Sequence, residues 1–369
     1  MSSSRRMIVL AEGRFGPLSS KTANGAIAFM TDRVVAVIDS RLPGKTAQDV
    51  LGYGGSIPVV GTLKEGLRFA PDSMLIGIAP AGGQLPAAWR PFILEALQAG
   101  LHVLSGLHTM LADDPEFSAL AASKGLTITD LRRIPPESKV VSRGSWRMRR
   151  GRTVLTVGTD CKIGKMTTLL AVDTELRRRG RRCEFIGTGQ TGILIAGNGV
   201  SVDAVIGDYI AGSIEREIDR ADRAGAEIIL VEGQGALTHQ GYSSVTLGLM
   251  HGTMPDAMIL NHQPTRTADD YGFPLPDLRR MVSLHEEIVG IFRPTRVVGI
   301  GLNSVGLTDA ESRDAAQRIE DETGLPAIDA FRFGAAPLVD ALESYFASVP
   351  PVSYQGPLPS PSGPIERGA

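Results

Sequence analysis

The stretch "TVGTDCKIGKMTTLL" (156–170) combines glycines, lysines and hydroxyl side chains in a spacing that suits an anion. An apolar run that predicts a strand precedes Gly158, and Gly164 and Lys165 stand where a helix would begin. Backbone N–H groups of such a turn, and of the first turn of the next helix, point at a bound anion, and a lysine adds charge. The sequence predicts a phosphate-binding loop that contains Gly158, Thr159, Asp160, Lys162, Gly164, Lys165, Met166, Thr167 and Thr168.

The loop departs from the usual pattern G-x-x-x-x-G-K-[ST] in two ways. Its glycines are separated by five residues, and Met166 replaces the serine or threonine that binds Mg²⁺. A thioether is a soft, weak ligand, whereas Mg²⁺ takes hard oxygens. We therefore expect a phosphate ligand and no metal, with Thr167 or Thr168 bonded to a phosphate oxygen. A turn without a ligand is the alternative, and "PGKT" (43–46) is a weaker second candidate that lacks the upstream glycine.

A second stretch, "IILVEGQGALTHQGY" (228–242), places a carboxylate at the end of an apolar run. A carboxylate at the carboxyl end of a buried parallel strand faces the ligand crevice of an α/β sheet. Glu232 is therefore a predicted catalytic residue, acting as a base or on a metal. His239 is a second catalytic candidate, with a surface-loop histidine as the alternative, and Tyr242 is a predicted substrate contact.

Polar groups flank these two stretches in positions that are less specific. Asp208 is a third catalytic candidate, and it could equally be a helix N-cap. The loop "FIGTGQTG" (185–192) sets hydroxyl and amide groups among glycines, so that its backbone can approach a ligand closely. We expect substrate contacts there, with a plain loop as the alternative, from Thr188, Gln190, Thr191 and Gly192.

The stretch "MILNHQPTRTADDYG" (258–272) ends another predicted strand with polar residues. Asn261 is predicted to contact a purine ring of the cofactor. Arg266 suits bidentate recognition of a carboxylate or phosphate. A surface salt bridge is the alternative for Arg266.

Short apolar runs alternate with helix-like segments along the chain, which predicts α/β architecture with parallel sheets and crossover helices. The stretch "RRIPPESKVVSRGSWRMRRGRT" (132–153) is rich in proline and basic residues. It predicts a solvated linker, although it could bind an anionic ligand. We expect an N-terminal α/β domain over 1–134, a linker over 135–152, a second α/β domain over 153–348 and a Pro-rich tail over 349–369.

The composition of the 369-residue chain excludes several classes of protein. A formal net charge of −2 gives no reason to expect nucleic acid as a partner. Cys161 and Cys183 are too few for a disulfide framework, which suits a reducing cytoplasm. The chain has no run of 18 apolar residues, so we expect no membrane span, and its first apolar run is too short for a signal peptide. Cys161, inside the loop, could also act as a thiol nucleophile.

Six motifs occur in one order along the chain: "GTDCKIGKMTT", "FIGTGQTG", "DAVIGDYIAGSIE", "VEGQGALTH", "VTLGLMHG" and "DAMILNHQP". Together they resemble a bacterial family catalogued as a domain of unknown function, whose characterised members are D-glutamate N-acetyltransferases. The resemblance covers nearly the whole chain except the tail. It implies a Rossmann-like α/β domain followed by a P-loop NTPase-like parallel α/β domain. It also implies acetyl-CoA as donor, D-glutamate as acceptor, and a separate racemase as functional partner. We further expect a homo-oligomer.

The C-terminal half is also similar to dethiobiotin synthetase, whose loop has the same opening and spacing but a hydroxyl residue where this chain has Met166. That similarity keeps an ATP- and Mg²⁺-dependent ligase or NTPase as the alternative function. Acetyl transfer by direct attack of the amine needs a base, for which Glu232 or His239 is predicted. It also needs N–H donors for the oxyanion, from 187–192 or 233–235, and Arg266 for the glutamate carboxylates.

Overall fold

The computed structural model describes residues 5–78 and 80–350, and these residues form two compact units. The N-terminal unit comprises the chain up to Ile134 together with Gly189–Ala204. The C-terminal unit comprises Pro135–Thr188 and the chain from Val205 onward. Most of the predicted Pro-rich tail, from residue 351, lies outside the described residues.

The N-terminal unit is built on a six-stranded sheet with the order β3-β2-β1-β4-β5-β6, in which every pairing is parallel. This is the strand order of the doubly wound α/β folds. The strands are β1 Met7–Leu10, β2 Val34–Ile38, β3 Val59–Val60, β4 Ser73–Ile76, β5 His102–Ser105 and β6 Ile128–Asp130. The helices that connect them are α1 Lys21–Phe29, α2 Ala47–Leu51, α3 Leu63–Gly66, α4 Arg90–Gln98 and α5 Pro115–Ser123.

Local signals explain where these helices begin. Asp114 is the N-cap of α5 and accepts hydrogen bonds from two backbone N–H groups of its first turn, with Pro115 at the first helical position. Thr46 and Asp49 form a capping box at the start of α2. The hydroxyl of "PGKT" is therefore a helix cap, which accounts for that short motif without a phosphate.

The C-terminal unit also has a six-stranded, entirely parallel sheet, with the order β12-β11-β10-β7-β9-β8. Its strands are β7 Arg152–Gly158, β8 Cys183–Ile186, β9 Ile228–Val231, β10 Ala257–His262, β11 Arg296–Leu302 and β12 Ala327–Ile328. Its helices are α6 Lys165–Arg178, α8 Ile210–Arg223, α9 Ser243–Thr253, α10 Leu278–Gly290, α11 Asp309–Thr323, α12 Ala330–Phe333 and α13 Ala336–Ser348. Since all strands are parallel, their carboxyl ends meet at one edge, which carries the predicted site.

The segment Gly189–Ala204 leaves the C-terminal unit after β8 and packs in the N-terminal unit. It contains helix α7, Gln190–Ala196, whose Ile193 and Leu194 join the apolar core of that unit. We call Gly189–Ala204 the returning segment. It is part of the N-terminal unit, although the alternation of the sequence placed it in the second domain.

The predicted solvated linker is instead packed against helix α8. The carboxylate of Glu215 accepts from the backbone N–H groups of Arg143 and Ser145, and Arg149 pairs with Asp219 at 3.2 Å. A side chain at Gly212 would collide with the carbonyl oxygen of Val140, so helix and segment touch through backbone. Arg149 takes part in this packing, whereas Lys139, Arg143 and Arg150 are exposed. The segment is therefore packed on α8 and is not a free connector, although several of its basic side chains do face water.

The predicted fold class, two parallel α/β units in succession, is confirmed by both sheets. Within the described residues, none of the helices has both the length and the apolar character needed to cross a membrane.

Candidate functional site

The phosphate-binding loop joins the end of β7 to the start of α6, as predicted. Lys165 is the first residue of α6 and is buried, and its Nζ folds back to donate to the carbonyl oxygen of Asp160 at 2.7 Å. A side-chain carbon at Gly158 would lie 3.1 Å from that Nζ, so glycine leaves room for the lysine. Gly164 has φ +99°, which favours glycine at the turn into the helix.

The loop presents backbone donors that the protein itself does not use. Among the described residues, no acceptor takes a hydrogen bond from the backbone N–H groups of Ile163, Gly164, Met166 and Thr167. The first N–H groups of any helix lack partners within it, and the N-terminus carries partial positive charge. A cluster of such donors beside a lysine is suited to binding an anion.

Arg266 is fixed against this loop by a buried carboxylate. Its Nη1 donates to Oδ2 of Asp160 at 2.5 Å and to the carbonyl oxygen of Cys161 at 2.9 Å, and Asp160 is fully buried. Its Nη2 and Nε make no hydrogen bond within the described residues. The guanidinium is therefore oriented through one nitrogen and keeps its other donors for a ligand.

Glu232 follows β9 directly and is almost completely buried, with an exposed fraction of 2%. Its Oε2 accepts from the backbone N–H of Thr188 at 2.9 Å, and the Thr188 hydroxyl donates to the Glu232 carbonyl at 2.8 Å. Gly233 comes next, and a side-chain carbon there would lie 3.1 Å from Cδ of Lys165. The strand ends of β8 and β9 thus hold an oriented carboxylate next to the residue that packs on the loop lysine.

His239 reaches the loop from the segment between β9 and α9, and it is buried rather than a surface histidine. Its Nδ1 accepts from the backbone N–H of Gly241 at 3.2 Å, and its buried Nε2 has no hydrogen-bond partner among the described residues. Because Nδ1 accepts, the neutral ring carries its proton on Nε2. His239 therefore presents an unused donor.

The ligand atoms of Asp160, Cys161 and His239 lie within 4.8 Å of one another, and these are donor types found in zinc sites. Arg266 pairs with Asp160, and Lys165 binds its carbonyl oxygen, so two cations stand beside the cluster. That electrostatic environment favours an anion over a metal ion. Burial, opposed by Lys165, raises the pKa of the Cys161 thiol. The expectation that no metal is needed stays a prediction.

The three side chains after Lys165 have different surroundings. Met166 is buried, and Thr168 is buried against β11, where a side-chain carbon at Gly301 would lie 2.7 Å from its hydroxyl oxygen. Thr167 is half-buried. Of the two predicted hydroxyls, that of Thr167 is the better placed to meet a phosphate.

The end of β10 differs from the expectation. Asn261 is fully buried, and its Nδ2 donates to the carbonyl oxygens of Val157 and Ile259. The burial of this side chain does not support a contact with a purine, and its Oδ1 has no hydrogen-bond partner among the described residues. The next residue, His262, has Nδ1 3.1 Å from the hydroxyl oxygen of Thr159, and burial lowers its pKa to about 4.

Four further predicted residues belong to a short 3-10 helix and to the returning segment. Asp208 is exposed on a short 3-10 helix ahead of α8, and the N-cap of α8 is Tyr209. Neither of its two predicted roles is supported. Gln190, Thr191 and Gly192 belong to the returning segment in the N-terminal unit. There Gln190 accepts from Arg132 at 2.8 Å, and the hydroxyl of Thr191 lies 3.2 Å from that of Thr22.

Sequence reasoning missed three residues that contact the loop or its neighbours. Asp270 pairs with Lys162 at 3.2 Å, and the ring of Tyr271 lies 5.1 Å from that of His239, centroid to centroid. His262 is the third. Its position at a strand end beside Asn261 was the available signal, whereas nothing marked Asp270 and Tyr271 within a polar loop.

Two family models match the chain and together cover most of it. The model described as "Domain of unknown function (DUF1611_C) P-loop domain" matches residues 140–339. The model described as "Domain of unknown function (DUF1611_N) Rossmann-like domain" matches residues 40–134. The two descriptions agree with the two sheets.

Two relatives whose names give an activity align with this chain over most of their lengths, and so does one protein of known structure. A protein of Tritonibacter scottomollicae named D-glutamate N-acetyltransferase is 40% identical over 88% of this chain and 94% of its own. A protein of the same name from Pseudoalteromonas sp. is 33% identical over 74% of this chain and 82% of its own. The crystal structure of a DUF1611 family protein from Anabaena variabilis ATCC 29413 superposes with a TM-score of 0.88 at 36% identity, covering 92% of this chain and all of that one. The chain belongs to the DUF1611 family.

Proposed function

We propose that this protein transfers an acetyl group from acetyl-CoA to the amino group of D-glutamate. The observation that carries the proposal is the pair of relatives named D-glutamate N-acetyltransferase, at 40% and 33% identity. Local geometry supports it, because the phosphate-binding loop offers unused N–H donors and a buried methionine where a magnesium ligand would stand.

The residues around the loop fit the phosphates of coenzyme A without a metal. The N–H groups of Ile163, Gly164, Met166 and Thr167 can donate to an anion at the helix N-terminus. Lys162 adds an ammonium group that is 70% exposed at the rim of the loop. The bound thioester supplies the activated acetyl group, while the residues of this chain bind and orient the reactants.

Glu232 is the proposed base that takes a proton from the substrate ammonium. The N–H of Thr188 donates to its Oε2, and the side-chain amide of Gln234 lies 3.4 Å from its Oε1, so the carboxylate is held in a fixed orientation. His239 is then a donor rather than a base, because its Nδ1 already accepts from Gly241. We assign its Nε2 to stabilising negative charge on a ligand.

Two other groups complete the proposed machinery. The free donors of Arg266 suit a glutamate carboxylate. The backbone N–H groups of Gln234 and Gly235 make no hydrogen bond within the described residues, so they can serve the thioester oxyanion. Gly235 has φ +68°, and a side-chain carbon there would lie 2.5 Å from the carbonyl oxygen of Tyr242.

The test is release of free coenzyme A thiol by purified protein that is given acetyl-CoA and D-glutamate. We expect release with D-glutamate and much less with L-glutamate or without an acceptor. Absence of release with every amino acid offered would contradict the proposal.

The second candidate is an ATP- and Mg²⁺-dependent ligase or NTPase. The observation that favours it is an acid, Glu232, on the strand beside the one that carries the phosphate-binding loop. Nucleotide turnover that requires Mg²⁺, without thiol release, would favour this candidate over acetyl transfer.

A further inference from the structure

Two tyrosines on different loops converge on the ring of His239. Tyr242 ends the segment between β9 and α9, and its ring centroid lies 4.8 Å from that of His239. Tyr271 lies between β10 and α10, and its centroid lies 5.1 Å away. The tyrosines are 50% and 59% exposed, whereas the histidine is buried beneath them. We call Tyr242 and Tyr271 the aromatic pair.

Tyr271 is fixed in place by its own loop. The carboxylate of Asp269 accepts from the backbone N–H groups of Tyr271 at 2.8 Å and Phe273 at 2.9 Å. The backbone of Asp269 also bonds in both directions, to the carbonyl of Phe273 and from the N–H of Gly272. An exposed aromatic ring on a braced loop is ordered before a ligand arrives, which lowers the entropic cost of binding.

The aromatic pair adjoins the phosphate-binding loop through three contacts. A ring nitrogen of His239 lies within 4.8 Å of ligand atoms on Asp160 and Cys161. Asp270, next to Tyr271, pairs with Lys162 at 3.2 Å. Arg266, on the same loop as Tyr271, binds Asp160. An anion site and an exposed aromatic surface therefore share a boundary.

That combination matches one chemical class of ligand. A nucleotide carries phosphate joined through a sugar to a planar base. Any of the bases can stack on an exposed aromatic side chain. The buried Nε2 of His239 has no hydrogen-bond partner among the described residues, and a polar group of such a ligand could supply the acceptor. An apolar chain would use the rings but leave that donor and the loop amides unsatisfied.

We infer that Tyr242 and Tyr271 stack the adenine ring of a ligand whose phosphate lies on the phosphate-binding loop. The inference rests on the proposed function, in which the adenosine 3′,5′-bisphosphate portion of coenzyme A supplies base and phosphate. It reassigns Tyr242 from the amino acid to the base. A nucleoside diphosphate presents the same chemistry, so the two sources must be separated by experiment.

Calorimetric titration of the full chain with three probes tests the stacking. Adenosine 3′,5′-bisphosphate and ADP contain the base, and inorganic pyrophosphate does not. We expect Tyr271→Ala and Tyr242→Ala each to weaken the probe that contains the base by about 5- to 150-fold, the range for loss of one stacking contact. Pyrophosphate affinity should change by less than about twofold, because the loop is untouched.

Matched variants separate stacking from general damage. Phe273→Ala removes a ring that is 52% exposed on the same loop, and it should leave all three affinities unchanged. Tyr271→Phe should keep the affinity of the wild type. Gly241→Ala places a carbon 2.8 Å from the Tyr271 hydroxyl, so it should shift that ring and weaken only the probes that contain the base.

Equal weakening of pyrophosphate and the adenosine probes, or no weakening of either, would overturn the inference. Tighter binding of adenosine 3′,5′-bisphosphate than of ADP assigns the base to coenzyme A, and the reverse assigns it to a nucleoside phosphate. These titrations need no turnover. Base-dependent binding without thiol release would therefore reject the proposed function while the stacking stands.

Discussion

The carboxyl edges of the two parallel sheets carry similar polar residues, but these differ in whether they have hydrogen-bond partners within the protein. In the N-terminal unit, Asp39 follows β2 and is fully buried, and it accepts from the backbone N–H groups of Phe15 at 2.9 Å and Arg41 at 3.0 Å. Burial alone would raise the pKa of Asp39, but these hydrogen bonds hold it below its ordinary value. Glu12, after β1, accepts from the N–H of Ser40.

The corresponding edge of the C-terminal unit leaves donors unused. The loop amides around Gly164, the Nε2 of His239 and two donor atoms of Arg266 make no hydrogen bond within the described residues. Buried or half-buried polar groups without partners cost about 1–3 kcal/mol each. Several such groups together are suited to binding a ligand, whereas the polar groups named at the N-terminal edge are paired within the protein.

The largest expected effect is on turnover. Glu232→Gln should lower kcat for acetyl transfer by about 10²- to 10⁴-fold, the usual contribution of a general base. Its amide oxygen can still accept from Thr188, whereas its amide nitrogen replaces an acceptor of Gln234, so a modest fall in melting temperature is expected. Steady-state thiol release and thermal unfolding of the same preparation measure both. Retained turnover would mean that the edge of the C-terminal unit lacks its proposed base.

A fall in pH should lower the stability of the C-terminal unit before that of the N-terminal unit. Burial lowers the pKa of His262 from 6.5 to about 4, so the unfolded chain binds a proton below pH 6.5 that the folded chain refuses until about pH 4. Stability is therefore lost as the pH falls through this window, by about 3 kcal/mol for this group.

Urea unfolding from pH 7 to pH 4 should show a shallower loss in His262→Asn than in the wild type. Burial also lowers the pKa of His285 to about 4, so part of the dependence of stability on pH remains in the variant. Identical slopes would assign the acid sensitivity elsewhere.

At the N-terminal edge, where the polar groups are paired, a mutation should lower the free energy of unfolding. Arg132 is buried and donates to the carbonyl of Gly106 at 2.7 Å and to Gln190 at 2.8 Å, and it pairs with Asp203. Arg132→Ala should cost about 1–3 kcal/mol, because it leaves those acceptors without a donor. The neighbouring Arg133→Ala removes an exposed pair with Asp113 and a 3.3 Å contact with Asp130, which still accepts from two backbone N–H groups. This variant should cost less than about 1 kcal/mol.

The two tryptophans allow this loss to be localised. Trp89 lies in the core of the N-terminal unit, and Trp146 lies in the C-terminal unit. In a Trp146→Phe background, fluorescence during urea unfolding reports the N-terminal unit alone. An equal cost for both arginine variants would break the contrast between the edges.

The smallest effect concerns the backbone of the loop. Lys162 has φ +58°, a left-handed conformation that is unfavourable for residues with a side chain. Lys162→Gly should raise stability by about 0.5–1 kcal/mol and weaken pyrophosphate binding, since an exposed cation is lost. Lys162→Ala is the control, because it removes the charge and keeps the strain. Equal melting temperatures for the two variants would show that the loop is unstrained.

The sequence predicted most of the sheet architecture because buried parallel strands are continuous apolar runs bounded by turns. It missed β1, since Met7–Leu10 is too short to stand out beside a charged N-terminus. It also treated 135–152 as a solvated connector, because a basic side chain looks the same in the sequence whether it faces water or, like Arg149, pairs with a carboxylate such as Asp219.

Within the candidate site, the residues placed by parallel-strand geometry came together. Lys165, Glu232 and Arg266 all follow strand ends of one sheet, so their proximity was foreseeable. The predicted role of Asn261 is not supported, because a polar side chain near the end of a strand can be buried and bonded to carbonyl oxygens of the sheet. Tyr271 was invisible because its contact with His239 joins loops that are distant in sequence.

The returning segment has a consequence for biosynthesis. Ile193 and Leu194 fill the core of the N-terminal unit, yet they are translated after β7, α6 and β8 of the other unit. Domains usually fold in order as they leave the ribosome. Here the core of the N-terminal unit is incomplete until the chain up to residue 204 has left the ribosome. A fragment ending at Ile134 lacks a piece of its own interior, so the two halves of this enzyme are not separable at the boundary that their order in the chain suggests.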